Sequence, residues 1–302
     1  QSVHTHCICG NSSKNVNGHT HDAGITFLPW TETNKLPASG NYYLTRNVTL
    51  TGNAGLGNAN VCLNGYTVTL SNVGRINPSG TTQLTDCSVD GKLESYPGKA
   101  NGGVAISGGS KFYLYGGTLN GVKVEIGQTG GGTFNMYGGK IQNNHVYSGN
   151  GGAIYVEAGG TLNLYGGAIT GNTASGLGGG IYVEAGGRVN IQGAPVVTGN
   201  TASGKASNVY VCADSTSPLL TVSGELTDGA KLGVSTDASY PVLLAGSTQD
   251  YSAYFTPDDP DAFVLFSGSA LTLCAKPSAT LEGDTLTVST GSNYKSDAFV
   301  LF

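Results

Sequence analysis

Charge is what this chain has least of. Of 302 residues, 14 are Lys or Arg and 19 are Asp or Glu, 11% in all, where ordinary soluble domains carry roughly 25%. With so few cations and a net charge of −5, no basic stripe exists to neutralise phosphates, which argues against a nucleic-acid partner. No apolar run approaches the ~20 residues of a membrane span, so no membrane span is expected. No 3.6-residue apolar period runs for a useful length, so helices are not expected either. The repeats hold no Asp between Asp90 and Asp214, which removes the calcium-binding β-roll with its GGxGxD unit. The LxxLxL spacing of leucine-rich repeats is missing, as are GxSxG, HExxH and a phosphate loop. Methionine occurs once, at Met136. The chain starts at Gln1 with no signal-peptide pattern, as expected of a mature secreted protein.

What the chain has is glycine, 49 residues of it, and repetition. Residues 151–176 read GGAIYVEAGGTLNLYGGAITGNTASG, and 178–204 read GGGIYVEAGGRVNIQGAPVVTGNTASG. A fixed period in the twenties means stacked structural units. Weaker copies carry YGG at Tyr115, Tyr137 and Tyr165, and the triplet Val209-Tyr210-Val211. Each copy alternates as a strand does, Ile154, Val156, Leu162 and Leu164 to one face and Tyr155, Glu157, Asn163 and Tyr165 to the other. Gly pairs supply the turns. These features predict an all-β fold, a right-handed parallel β-helix whose coils stack roughly 4.8 Å apart.

Stacking predicts rows. Inside should lie Ile154 on Ile181 on Val209, and Val124 on Val156 on Val183 on Val211. Phe112, Phe134, Leu162 and Val189 form another row, beside Leu114, Met136, Leu164 and Ile191. Asn144, Asn172 and Asn200 should form an amide ladder at a corner. Outside, Tyr155, Tyr182 and Tyr210 should make a column with Lys123 at one end, next to a row of Glu125, Glu157 and Glu184. Exposed aromatics beside carboxylates suit glycan contact; a solvated face that only stabilises the sheet is the plainer reading. A catalytic reading is weaker. Glycosidases need one carboxyl of raised pKa facing another across a cleft, and a uniform ladder supplies neither.

The ends differ from the middle. Residues 1–40 hold four of the five His, two of the six Cys and the single Trp, Trp30, and read as an N-terminal cap. Residues 41–232 read as the β-helix repeats, and 233–302 as a C-terminal β-rich cap or small domain. A solenoid needs both ends covered. In the N-terminal cap, HTHCICG supplies His4, His6, Cys7 and Cys9, and a second HTH supplies His19 and His21. That density of imidazole and thiol suits a tetrahedral structural zinc held by Cys7, Cys9, His19 and His21, with His6 as a spare. A Cys7–Cys9 disulfide or an idle polar tail are the alternatives. Cys62 and Cys87 sit in alternating strands read as pointing inward. With Cys212 and Cys274 they are expected to be free buried thiols.

The motifs HTHCICG, HTHDAGITFLPWTETNKLPASGNYYLTRNVTL, CLNGYTVTL, LTDCSVDGKL, YGGAITGNTASGLGGGIYV and AYFTPDD together resemble adhesin-like parallel β-helix surface proteins secreted by gut Firmicutes. The resemblance runs from about His4 to Phe266. It implies an extracellular, cell-surface-associated, mostly non-catalytic protein acting in attachment to surface or dietary glycans, or in surface scaffolding. The alternatives are a structural subunit assembling head to tail into a fibre, or a polysaccharide hydrolase or lyase. The hexapeptide DAFVLF bears on the fibre. It occurs at Asp261–Phe266 and again at Asp297–Phe302, where the second copy could pair within its own domain or with a neighbouring molecule.

Overall fold

A computed structural model describes residues 4–8, 24–71, 74–88, 90–95, 103–127, 129–213, 219–282 and 285–289. Parallel strands stack into a β-solenoid of about seven turns, and the only helix among the described residues is the short 3-10 turn Ser252–Tyr254. A coil has three strands, as in Lys111–Leu114, Thr118–Asn120 and Lys123–Ile126. The first strand of each coil joins a ten-stranded sheet running from His4–His6 to Thr221–Leu226. The second and third build two walls of a sixteen-stranded sheet, joined where Lys231–Thr236 pairs with both Val196–Thr198 and Val209–Val211. The boundary expected at residue 232 therefore falls inside a solenoid strand, and Phe255–Pro257 adds one more strand to it. Beyond lies a small antiparallel sheet of Val242–Gly246, Ala270–Ala275 and Ala262–Phe266. This hairpin holds the first DAFVLF copy; the copy at Asp297–Phe302 lies outside the described residues. No helix among the described residues is long and apolar enough to cross a membrane.

The lumen is filled by the expected rows. Phe112 pairs in register with Phe134, Phe134 with Leu162, and Leu162 with Val189, all nearly inaccessible to solvent. Ile154, Ile181 and Val209 align, as do Val156, Val183 and Val211. One row differs. Val124 lies on Ile154 and Ile126 lies on Val156, so Glu125, not Lys123, is in register with Tyr155. The cause is that alternation fixes register only to within two residues: a slip of two leaves every apolar side chain on its own face. The Gly-rich run after Ile126 absorbs the difference in coil length.

The corner ladder forms and runs further than expected. Asn144 Nδ2 donates to Asn172 Oδ1 at 2.8 Å and Asn172 Nδ2 to Asn200 Oδ1 at 2.9 Å. Asn200 Nδ2 then donates to Asn208 Oδ1 at 3.1 Å, and Asn208 Nδ2 to Asp258 Oδ1 at 2.6 Å. The four Asn side chains are buried, and the aligned amide dipoles end on a carboxylate. Burial raises the Asp258 pKa despite donors from Asn208 and Ser235. Close approach of backbones elsewhere demands glycine. A Cβ on Gly152 would run into the Gly179 carbonyl of the next coil.

Candidate metal centre

At its N-terminal end the ten-stranded sheet continues past the first coil. Ile25–Trp30 pairs parallel with Gly40–Leu44, and His4–His6 pairs antiparallel with Ile25–Phe27. His4 and His6 alternate to one face with Phe27. On that face, in register, lie Tyr43, Cys62 and Thr85. This is the outer face of the solenoid wall. Val61 and Leu63, which flank Cys62, belong to the lumen core, whereas Cys62 joins a separate buried cluster with Cys7, Ile8, Phe27, Tyr43 and Tyr115. The inward orientation read for Cys62 and Cys87 is thus reversed: Cys62 is fully buried because the N-terminal strand lies over it, and Cys87 is half-buried.

His4, His6, Cys62 and Cys87 converge, with one ligand atom from each lying within 4.8 Å of the others. His4 Nε2 is 3.1 Å from Cys87 Sγ and 4.0 Å from Cys62 Sγ, and the two sulfurs are 3.3 Å apart. Tetrahedral bonds of about 2.0–2.3 Å place neighbouring ligand atoms roughly 3.3–3.8 Å apart, so small side-chain rotations complete the sphere. His6 carries the clearest sign. Its Nδ1 donates to the Cys7 carbonyl at 2.6 Å, which leaves the neutral ring's lone pair on Nε2. That atom is buried near the Cys87 sulfur and makes no hydrogen bond of good geometry. A carbonyl fixing the tautomer of a histidine whose other nitrogen faces a thiol pair is the arrangement that orients imidazole toward a metal. The rings are held from outside: His4 stacks on Tyr43 at 4.6 Å between centroids and His6 on Phe27 at 4.5 Å.

The electrostatics favour a cation. The Cys62 thiol donates to Cys87, which with burial holds its proton well above the usual thiol range. The same bond, aided by His6 and His4, pulls Cys87 well below that range against the effect of burial. Burial draws His6 down, but the Cys87 sulfur and the Cys7 carbonyl outweigh it and the net shift is upward. Two thiolates and a divalent ion sum to zero charge, which a buried site tolerates. The Cys87 loop is positioned by Asp86, whose carboxylate accepts from the backbone N–H groups of Gly65 and Gly91, each at 2.9 Å, and of Ser88 at 3.3 Å.

Of the metal ligands expected from sequence, His6 is in this cluster. Cys7 lies beside it, buried, contributing its carbonyl. Cys9, His19 and His21 lie outside the described residues. His4 belongs to the ligand-rich string but not to the expected ligand set, and Cys62 and Cys87 were missed as candidates, although the run Val61-Cys62-Leu63 carries the signal: a strand alternating inward at 61 and 63 turns 62 outward.

The tyrosine column forms, with Tyr155, Tyr182 and Tyr210 in register. Ring centroids are 5.1 and 5.9 Å apart, and the Lys123 ammonium sits 5.0 Å above the Tyr155 ring. Stacking along the solenoid axis turns the ring faces toward one another and presents edges and hydroxyls outward. Tyr155 donates to Glu184 at 2.5 Å. Glu125 lies beneath Tyr155 and is paired with Arg75 at 2.8 Å and Lys123 at 3.5 Å. The row expected of Glu125, Glu157 and Glu184 is therefore broken, since Glu125 belongs to the tyrosine column. A second column on the metal-site wall holds Tyr115, Tyr137 and Tyr165, at 5.0 and 4.4 Å. Burial lifts the Tyr137 hydroxyl to about 12.

No protein-family model matches this chain, and neither curated proteins nor solved structures gave a match.

Proposed function

We propose that this chain is a non-catalytic, extracellular β-helix module of the adhesin type, whose first coils are fastened to the N-terminal strand by a zinc ion. The observation that carries the zinc reading is the convergence of His4, His6, Cys62 and Cys87, with His6 Nε2 buried and making no hydrogen bond of good geometry. Two sulfurs and two imidazole nitrogens within 4.8 Å of one another suit zinc better than the oxygen-preferring cations. Four protein ligands leave no open position for substrate, so the ion's task is structural. It ties a three-residue edge strand to two successive coils.

The adhesive reading rests on the outer rows and on the sequence resemblance. Tyrosine hydroxyls and the half-buried ladder amides of Asn163 and Asn190 repeat at the coil spacing and suit hydrogen bonding to a polyhydroxylated chain. Because the ring faces are stacked on one another, glycan contact would run through edges and hydroxyls. The low-charge surface fits extracellular display.

Metal analysis of protein purified without added zinc tests the first part. About one zinc per chain is expected, with loss of the metal in Cys62→Ser and a lower melting temperature after chelation. A metal-free protein whose melting ignores both zinc and chelator refutes it. A glycan array beside light scattering tests the second: binding by a monomer supports adhesion, whereas filaments without glycan binding point to a structural subunit.

A further inference from the structure

The Cys62 and Cys87 sulfurs, 3.3 Å apart, stand on adjacent coils. They are too far apart for a disulfide of about 2.05 Å and close enough to make one with a small rotation. Their exposures differ. Cys62 is fully enclosed, whereas Cys87 is half-buried and open to a small reagent. We propose that this pair is an oxidation site: when the metal is absent, a peroxide converts Cys62 and Cys87 to a disulfide, and the N-terminal strand is released.

The release rests on the metal reading; formation of the disulfide rests on the sulfur geometry alone. The Cys87 sulfur attacks one oxygen of hydrogen peroxide, the O–O bond breaks, and the products are a sulfenic acid and water. The Cys62 sulfur then attacks the sulfenic sulfur. The S–S bond forms as the S–O bond breaks, and the departing hydroxyl takes the Cys62 proton to leave as a second water. Two thiols lose two electrons and the peroxide gains them.

The consequence follows from what the sulfurs hold. His4 touches both of them, and metal coordination would use them to anchor both histidines. Once joined, the sulfurs still tie one coil to the next, but the histidines lose their thiolate partners. The strand His4–His6 then loses its ties to both sulfurs and is left with its three-residue antiparallel pairing with Ile25–Phe27, the ring stacks of His4 on Tyr43 and His6 on Phe27, and the packing of Cys7 and Ile8. Beneath it lie the buried rings of Phe27, Tyr43 and Tyr115. Oxidation therefore uncovers an aromatic patch at the start of the solenoid, while zinc keeps it shut and shields the thiols.

The full chain, stripped of metal and reduced, is treated with one equivalent of hydrogen peroxide. Loss of two of the six thiols, a Cys62–Cys87 cross-linked peptide and faster proteolytic cleavage near residues 4–8 are expected. Zinc-loaded protein should keep all its thiols, and Cys62→Ser, or Cys87→Ser should the first not fold, should give no such peptide. Cys87 ending as sulfinic acid, or a cross-link from either cysteine to another, overturns the proposal. So does unchanged cleavage in the oxidised protein. Disulfide formation in a protein that never binds zinc would refute the metal reading and leave the cysteine pair standing. Zinc binding without the disulfide would do the reverse.

Discussion

Replacing Asn172 by Ala removes the middle rung of the buried ladder. Its amide donates to Asn200 Oδ1 at 2.9 Å and to the carbonyls of Ile141 and Thr170 at 3.0 and 3.1 Å. Its oxygen accepts both the Asn144 backbone N–H at 3.1 Å and the Asn144 amide at 2.8 Å. Asn200 Oδ1 keeps the Asn172 backbone N–H, so its loss is partial. The two Asn144 donors lose this acceptor where water does not reach, and the amide keeps only a long 3.4 Å contact to the Gln142 carbonyl. A buried polar group left unpaired costs about 1–3 kcal/mol, and two donors with the weakened carbonyls bring the expected loss to about 3–5 kcal/mol. That is a large part of the ~5–15 kcal/mol available to a folded domain. Asn163 supplies the control. It lies in an equivalent ladder on the outer face, accepting from Asn190 at 2.7 Å and donating to Asn135 at 2.8 Å, but it is only half-buried. Asn190 can turn to water, but Asn135 is buried, so Asn163→Ala leaves one buried acceptor unpaired, against two donors in Asn172→Ala, and should cost about 1–2 kcal/mol. Urea unfolding of both variants, with hydrogen exchange at the Asn144 amide, measures the difference. Equal losses would mean that the ladder's bonds, and not their burial, set its worth, and the reasoning fails.

Burial raises the Asp258 carboxyl above its ordinary 3.8. The folded chain then binds more protons than the unfolded one, so this group's contribution falls as pH rises from about 3.8 through the raised folded value. Asp258→Asn should remove that part of the slope in denaturation curves taken across acidic pH, while turning an amide donor toward Asn208; an unchanged slope contradicts the assignment. Glu125→Gln leaves Arg75 and Lys123 facing each other without their shared carboxylate. Because these side chains keep some solvent contact, about 1–2 kcal/mol of loss in thermal unfolding is expected. Burial already draws Lys123 below its ordinary value, so its amine should react faster with acylating reagents in the variant. Unaltered reactivity would place the ion pairs outside the energetics of the wall.

The coil architecture was legible because each residue of a repeat meets its own counterpart. Val156, Val183 and Val211 could be aligned by eye, and the same logic placed Asn144, Asn172 and Asn200 at one corner. The ladder's terminus was not legible, because Asp258 arrives from a segment with no repeat and meets Asn208 only through the fold. Nor was the Glu125 register. The string Val122-Lys123-Val124-Glu125 matches Ile154-Tyr155-Val156-Glu157 letter for letter in polarity, and apolar alternation cannot separate two registers that differ by two residues. Only the buried partner of Ile126, which is Val156, separates them.

The candidate metal site marks where local reading of the sequence stops. A search for ligands looks for density, and density led to Cys7, Cys9, His19 and His21 within one segment. In a solenoid, residues about one coil apart are neighbours along the wall, so ligands can be scattered in sequence and adjacent in space. Cys62 and Cys87 are 25 residues apart and 3.3 Å from each other. The coil period thus brings two thiols together in the wall, and the strand His4–His6 brings two imidazoles over them from its edge. Cysteine pairs separated by about one coil, on the face opposite the core rows, are therefore the pattern by which such sites can be sought in chains of this architecture. Metal loss in Cys62→Ser and its retention in Cys212→Ser, a half-buried thiol bonded to Tyr182 far along the solenoid, would establish that position in the coil, and not cysteine content, makes the site.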